Sequence, residues 1–199
     1  MTWTDFVTKL THLRQERGDL VLYLNPRPFL LPHPVQRYDD PYLPFGKAVI
    51  QATRPFVCGY MFDFAAYLGM GAAGAVALER TIAYAGQDSV TILHGPFTGT
   101  GYSAAMDTTG FGVDALTLTT PNELAHYLEQ PPHAAFVLGA GNPPAEGGFF
   151  DLASRHLLLR DLEGAHLTLR VTDDSVLYAG GQDDFSDKIV AALQAMRER

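Results

Sequence analysis

The stretch Val90 to Gly101, VTILHGPFTGTG, sets one imidazole, His94, where an apolar run gives way to a loop of small residues. A histidine titrates near neutrality and can serve there as general acid or base. A structural histidine with its bonds satisfied is the competing reading. Asp63 is the only carboxylate at a comparable strand end, and it equally suits a helix N-cap. Asn25, after the apolar run Leu20 to Leu24, bonds but takes no proton; Met61 is apolar. The glycine-rich Thr98 to Ala105, TGTGYSAA, lacks both the lysine of a P-loop and the third glycine of a dinucleotide fingerprint. Ser103 has no Gly-x-Ser-x-Gly elbow around it. The seven histidines are scattered, with no His-x-x-x-His pair, so neither a metal site nor a cofactor is expected.

The elements that must position these groups alternate. Helical spacing runs from Trp3 to Gln15, from Phe45 to Thr53, and from Gly71 to Ala85 with Val76, Ile82 and Ala83 on its apolar stripe. Strands are expected at Leu20 to Leu24, Phe56 to Tyr60, Val90 to Leu93, Val113 to Leu118 and Ala135 to Leu138. The proline-rich segment from Asn25 to Pro44 is too restricted for regular structure. A helix turn is expected at Tyr102 to Met106. Pro121 to Leu128 reads as a helix with Thr120 as N-cap and Glu123 at capping-box distance. Short strands alternating with helices indicate β/α units and a parallel sheet. The rhythm then breaks. His156 to Val171 holds two alternating runs joined by DLEGA, which favours a hairpin, because a parallel crossover needs a dozen or more residues. Phe185 to Arg197 closes the chain as an amphipathic helix. Ligands of such folds sit at the C-terminal strand ends, so the loops at Asn25, Met61 to Phe64, His94 to Gly101, Thr119 and Gly139 to Gly148 are the candidate site.

The bulk numbers narrow the classes. With 199 residues, 47% of them hydrophobic, one domain over residues 1–199 is expected. A net charge of −8 disfavours nucleic acid as a partner; the densest basic cluster is only the Arg197-Glu198-Arg199 tail. The one cysteine, Cys58, lies in an apolar run and forms no internal disulfide, which fits a reducing cytoplasm. The longest apolar region, Val57 to Leu78, is interrupted by Asp63, and its uncharged part is shorter than the ~20 residues of a membrane helix, so no membrane partner is expected.

Taken in order, these blocks resemble the orotidine 5′-phosphate decarboxylases, in particular their longer-chain bacterial branch. Leu20 to Pro26, LVLYLNP, resembles that family's first strand, ending Gly-Leu-Asp-Pro. Tyr38 to Tyr84 resembles its block Phe-Asn-Lys-x-Ile-Ile-Asp-Ala-Thr, Val-Cys-Ala-Tyr-Lys-Pro-Asn and a Leu-Glu-x-Thr-Ile helix. The resemblance is most specific over Asp39 to Tyr84. Thr91 to Ala105 stands where the family reads Ile-Leu-Asp-Ala-Lys-Arg-Gly-Asp-Ile-Gly-Asn-Thr-Ala, FGVDALTLTTP resembles Tyr-Gly-Ala-Asp-Ala-Val-Thr-Val-Asn-Pro, and Phe136 to Leu152 resembles Ser-Asn-Pro-Gly-Ala-Gly-Asp-Phe-Gln-Asp-Leu.

The departures fall on the chemistry that the resemblance implies. The family's Asp-x-Lys-x-x-Asp becomes His94-x-Pro96-x-x-Gly99, its second-strand lysine becomes Met61, and its first-strand aspartate becomes Asn25. The pyrimidine-reading serine aligns with Gly141, and the phosphate-gripping arginine with Asp174. The proton donor, the carboxylates and the phosphate anchor are all replaced. No catalytic residue is therefore expected; the candidate pocket is Asn25, Asp63, His94, Thr119, Asn142 and Asp174. Met61, Phe62, Phe64 and Phe97 are the apolar groups available to fill it.

The resemblance also implies a TIM-barrel-like (ribulose-phosphate-binding) α/β fold. Here it is expected to be shortened or incomplete, with a C-terminal β-hairpin replacing missing β/α units between Leu152 and Leu167, and an edge for a partner subunit to cover. The family's habit implies a homodimer. Three functions remain open: a non-catalytic relative with a binding, regulatory or structural role, an enzyme of altered lyase-type chemistry using His94, or a working decarboxylase making uridylate. No lysine favours the last, since only Lys9, Lys47 and Lys188 occur.

Overall fold

Eight strands close into a barrel in strict chain order. The computed structural model describes residues 2–86 and 88–198; Arg199 of the basic tail lies outside them. The elements are α1 (Trp3–Arg17), β1 (Leu20–Leu24), α2 (His33–Gln36), α3 (Tyr42–Thr53), β2 (Gly59–Asp63), α4 (Phe64–Leu68), α5 (Gly71–Gly86), β3 (Val90–Phe97), α6 (Ser103–Met106), β4 (Ala115–Leu118), α7 (Leu124–Glu129), β5 (Ala135–Leu138), β6 (Gly148–Asp151), β7 (His156–Arg160), β8 (His166–Val171), α8 (Asp174–Leu177) and α9 (Phe185–Arg197).

Strands β1 to β6 run parallel, β7 runs against both of its neighbours, and β8 returns parallel to β1. The barrel is thus closed, without the open edge expected of a shortened or incomplete one. The missing piece in the sequence reading was β6. Its four residues, GFFD, sit behind a glycine- and proline-rich loop and show no periodicity of their own. Gly148 opens β6 because the strands crowd there: a Cβ would stand 2.6 Å from the Leu158 carbonyl and 2.7 Å from the Phe136 ring. Antiparallel pairing through short turns lets β6, β7 and β8 finish the circle without covering helices.

The period-two alternation of each strand divides the core in two. Leu20, Leu22, Leu24, Tyr60, Phe62, Leu116 and Leu118 face outward, against α3, α5 and α9. Val21, Tyr23, Met61, Ile92, Phe136, Phe150, Leu157 and Leu169 fill the interior. Helix α1 plugs the end of the barrel where the parallel strands begin. A capping box starts it, with Thr2 and Asp5 bonding each other's backbone N–H. Trp3 stacks on Phe6 at 5.4 Å, and both rings meet Phe136 of β5 edge-on.

Several local expectations shift. The proline-rich segment does hold short turns at Pro28–Leu30 and α2, and α3 begins within it at Tyr42. β2 starts at Gly59, because Arg54–Phe56 forms a 3-10 turn around Pro55. Thr120 makes no side-chain cap, and Pro121–Glu123 is a 3-10 turn before α7. Val76 and Ala83 are exposed; α5 buries Gly74, Ala77, Leu78, Thr81, Ile82 and Ala85 instead.

Candidate functional site

The parallel strands deliver their last inward side chains to one mouth. β3 makes the most unusual delivery. Leu93 pairs with Leu116 and Phe97 with Leu118, so β3 spends four residues where β4 spends two. The bulge is His94-Gly95-Pro96, and Pro96 could not have joined the ladder, lacking an N–H. Thr117 mends the break. Its Oγ1 accepts from the Gly95 N–H and donates to the Gly95 carbonyl, both at 3.1 Å. The hydroxyl proton is thereby used, so the 3.0 Å contact with His94 is a bond donated by Nδ1–H of the imidazole. That leaves Nε2 of His94 as a bare acceptor. Burial, opposed by the nearby Asp63 charge and aided by Arg155, holds the His94 pKa below the usual histidine value, so the ring is neutral at pH 7.

Asp63 ends β2 directly beside His94, with which it is in register. It caps α4 by accepting the Ala66 N–H at 2.7 Å, and it also accepts the Tyr23 hydroxyl proton in a short hydrogen bond. Burial above all, then this bond, pushes the Tyr23 phenol far up, so it remains a donor. The Tyr23 and Phe150 rings meet the His94 imidazole edge-on, at 5.8 and 5.4 Å. The Arg155 guanidinium lies 4.9 Å over the Tyr23 ring and donates to the Thr172 carbonyl through Nε at 3.0 Å.

The candidate residues are only partly brought together. Asp63 and His94 are neighbours. Asn25, one step beyond inward-facing Val21 and Tyr23, is 6% exposed, and its Oδ1 has no partner among the described residues. Thr119 is spent on the bulge, donating to the Phe97 carbonyl at 3.1 Å. Asp174 pairs with Arg27 at 2.6 Å. Asn142 leaves the mouth: the loop after β5 descends without a helix, and Arg160, at the opposite end of β7, holds its Oδ1 at 2.9 Å. Of the positions that the resemblance would make catalytic, Pro96 is exposed, and Gly99 adopts φ +85°, its carbonyl accepting from the Tyr127 hydroxyl. Met61 is fully buried in the barrel interior. Phe62 and Phe97 belong to the outer core instead, and Phe64 packs on Phe97 and Phe111.

The sequence reading missed Tyr23, Thr117 and Arg155. Tyr23 and Thr117 had a signal, since each is a polar side chain at an inward position of a period-two strand. Arg155 had none; the β7–β8 hairpin sets it beside the end of β8, but only closure of the barrel brings it onto Tyr23 of β1. Among the described residues no group of three or more His, Cys, Asp or Glu side chains gathers as a metal would require.

An eight-stranded β/α barrel with its polar groups at the C-terminal mouth defines the class, and comparison with known proteins narrows it. No family model matches the chain. The orotidine 5′-phosphate decarboxylase of Herpetosiphon aurantiacus is 33% identical over 131 residues, 61% of this chain and 48% of that protein. The bifunctional enzyme PyrF/PyrE of a Nostoc species is 29% identical over 144 residues, 68% of this chain and 30% of that one. The solved OMP decarboxylase of Leishmania donovani superposes with a TM-score of 0.56 at 18% identity, covering 71% of this chain and 55% of the other; at that identity it shows the fold alone. The chain is a divergent relative of the orotidine 5′-phosphate decarboxylases over part of its length, and it spans about half the length of the first of these relatives. None of the described helices is long and apolar enough to cross a membrane.

Proposed function

We propose that this chain is a non-catalytic relative of orotidine 5′-phosphate decarboxylase, a single barrel-derived unit with a binding, regulatory or structural role in the cytoplasm, linked to pyrimidine metabolism. The carrying observation is the placement of its three lysines. Lys9 is bound at the plugged end by Asp114 at 2.7 Å and the Gly86 carbonyl. Lys47 lies over the Tyr84 ring on the helical surface, and Lys188 faces Asp184 on α9. The mouth therefore has no ammonium to protonate a carbanion, and its floor is Met61. Asp174, already paired with Arg27, presents a carboxylate where the resemblance calls for a phosphate-binding arginine, which disfavours a dianion.

Thermal unfolding with added uridylate tests this reading. A ligand at 100 times its dissociation constant adds about 2.7 kcal/mol of stability. No shift is expected at millimolar uridylate; a clear shift would mean that a nucleotide pocket survives.

One observation favours a second reading, altered lyase-type chemistry. His94 offers a neutral Nε2 beside the Tyr23–Asp63 hydrogen bond, an arrangement able to accept a proton. His94→Ala would abolish such an activity. A homodimer through the mouth face is also proposed. Phe29, 96% exposed, stands with Leu30 and Tyr38 on the segment that leaves β1 at that face. Sedimentation of Phe29→Ser against the parent chain tests it, with loss of the dimer expected.

A further inference from the structure

The turn between β6 and β7 lies at the mouth end of the barrel, beside the end of β8. It is preorganised by Asp151, whose carboxylate accepts from the Ala153 N–H at 2.9 Å and the Ser154 hydroxyl at 2.7 Å. Leu152, Ala153 and Ser154 are exposed, so no packing holds the turn down. The anchor is the residue that follows. Arg155 has φ +56°, a left-handed conformation that costs a non-glycine residue about 1 kcal/mol or more. Its carbonyl accepts the Val171 N–H at 2.8 Å, and its Nε and Nη2 both donate to the Thr172 carbonyl. The charge then rests on the Tyr23 ring, which in turn holds Asp63 and flanks His94. The closed arrangement carries a cost: Asn25 Oδ1, just past β1, is buried without a partner among the described residues, and solvent reaching it would remove that cost.

We propose that the β6–β7 turn is a latch, held shut by Arg155, and that its release opens the mouth of the barrel and exposes Tyr23, Asp63 and His94. The fastening is polar and local: one carbonyl and one side chain hold one strand end, and the same side chain rests on one ring. Such contacts open far more readily than buried apolar surface. The latch is independent of whether the mouth performs any chemistry, and its test does not measure activity.

Diethyl pyrocarbonate modification at neutral pH, mapped by mass spectrometry, reads the latch directly. The reagent attacks neutral imidazole, and His94 is held neutral, so a slow reaction there reports closure rather than protonation. Exposed His12 on α1 is the internal reference. In the parent chain His94 should react about tenfold or more slowly than His12, the protection expected of a contact worth one charge-assisted hydrogen bond. In Arg155→Ala the His94 rate should rise by about that factor while the His12 rate and the circular dichroism stay unchanged. Should that variant fail to fold, Arg155→Gln keeps a donor but loses the charge and the stacking, and the same rise is expected. Parity of His94 with His12 in the parent chain, or an unchanged His94 rate in a folded Arg155 variant, overturns the latch.

Discussion

The two ends of this barrel are closed by different physics. At the plugged end, α1 drives Trp3, Phe6, Val7 and Leu10 into the interior, where Phe6, Val7 and Leu10 are fully buried. At the mouth, one arginine lies over the Tyr23 ring of a polar layer, beside an exposed turn. Apolar burial is non-directional and gains about 1.5–3 kcal/mol for each large side chain, whereas a hydrogen bond gains about 0.5–1.5 kcal/mol net and loses most of that when its geometry slips. One end is therefore a permanent floor and the other an openable lid. The fold dispenses with helices beside β6 and β7 because their outward side chains, such as Phe149 and Leu158, together with Thr168 of β8, are left half-buried or exposed.

The largest test of the contrast is Phe6→Ala. Removing a fully buried ring that touches Trp3 and Phe136 should cost about 3–5 kcal/mol in urea unfolding. A loss under about 1 kcal/mol would mean that α1 merely leans on the barrel. Arg155→Ala should cost less, about 1–2 kcal/mol, since a half-exposed side chain loses its carbonyl bonds and its ring contact. A cost equal to that of Phe6→Ala would erase the distinction between floor and lid. Asp63→Ala removes the cap on α4 and the acceptor of Tyr23, and about 1 kcal/mol is expected, measured in the same way.

The smallest effect is one of pH. The folded His94 pKa lies below 6.5, the ordinary value. Between those two values the unfolded chain binds a proton that the folded chain refuses, so stability is present above pH 6.5 and declines as pH falls toward the folded pKa. His94→Gln should flatten that part of the stability profile; an unchanged slope would place the titration elsewhere.

Much of this was legible in the residues. Leu20 to Leu24, Ala135 to Leu138 and Phe185 to Arg197 are read with their observed bounds, because each carries a strong period and a clear stop. β6 was not, because four residues behind a glycine loop carry no period, and without it the barrel could not be counted closed. At the site, His94 and Asp63 announce themselves as polar groups ending apolar runs. Asn142 looked equivalent, but its place depends on Arg160, 18 residues away and at the other end of a strand. Arg155 is the limiting case: a turn residue whose role exists only after β8 has paired with β1.

On the proposed reading, the mouth lacks the means to decarboxylate. Direct measurement of orotidylate loss, with a lysine-bearing relative assayed in parallel, tests it most plainly. No turnover above the uncatalysed rate is expected from this chain, and none restored in Arg155→Ala, since opening the latch exposes no lysine. Turnover comparable to that of the relative would contradict it.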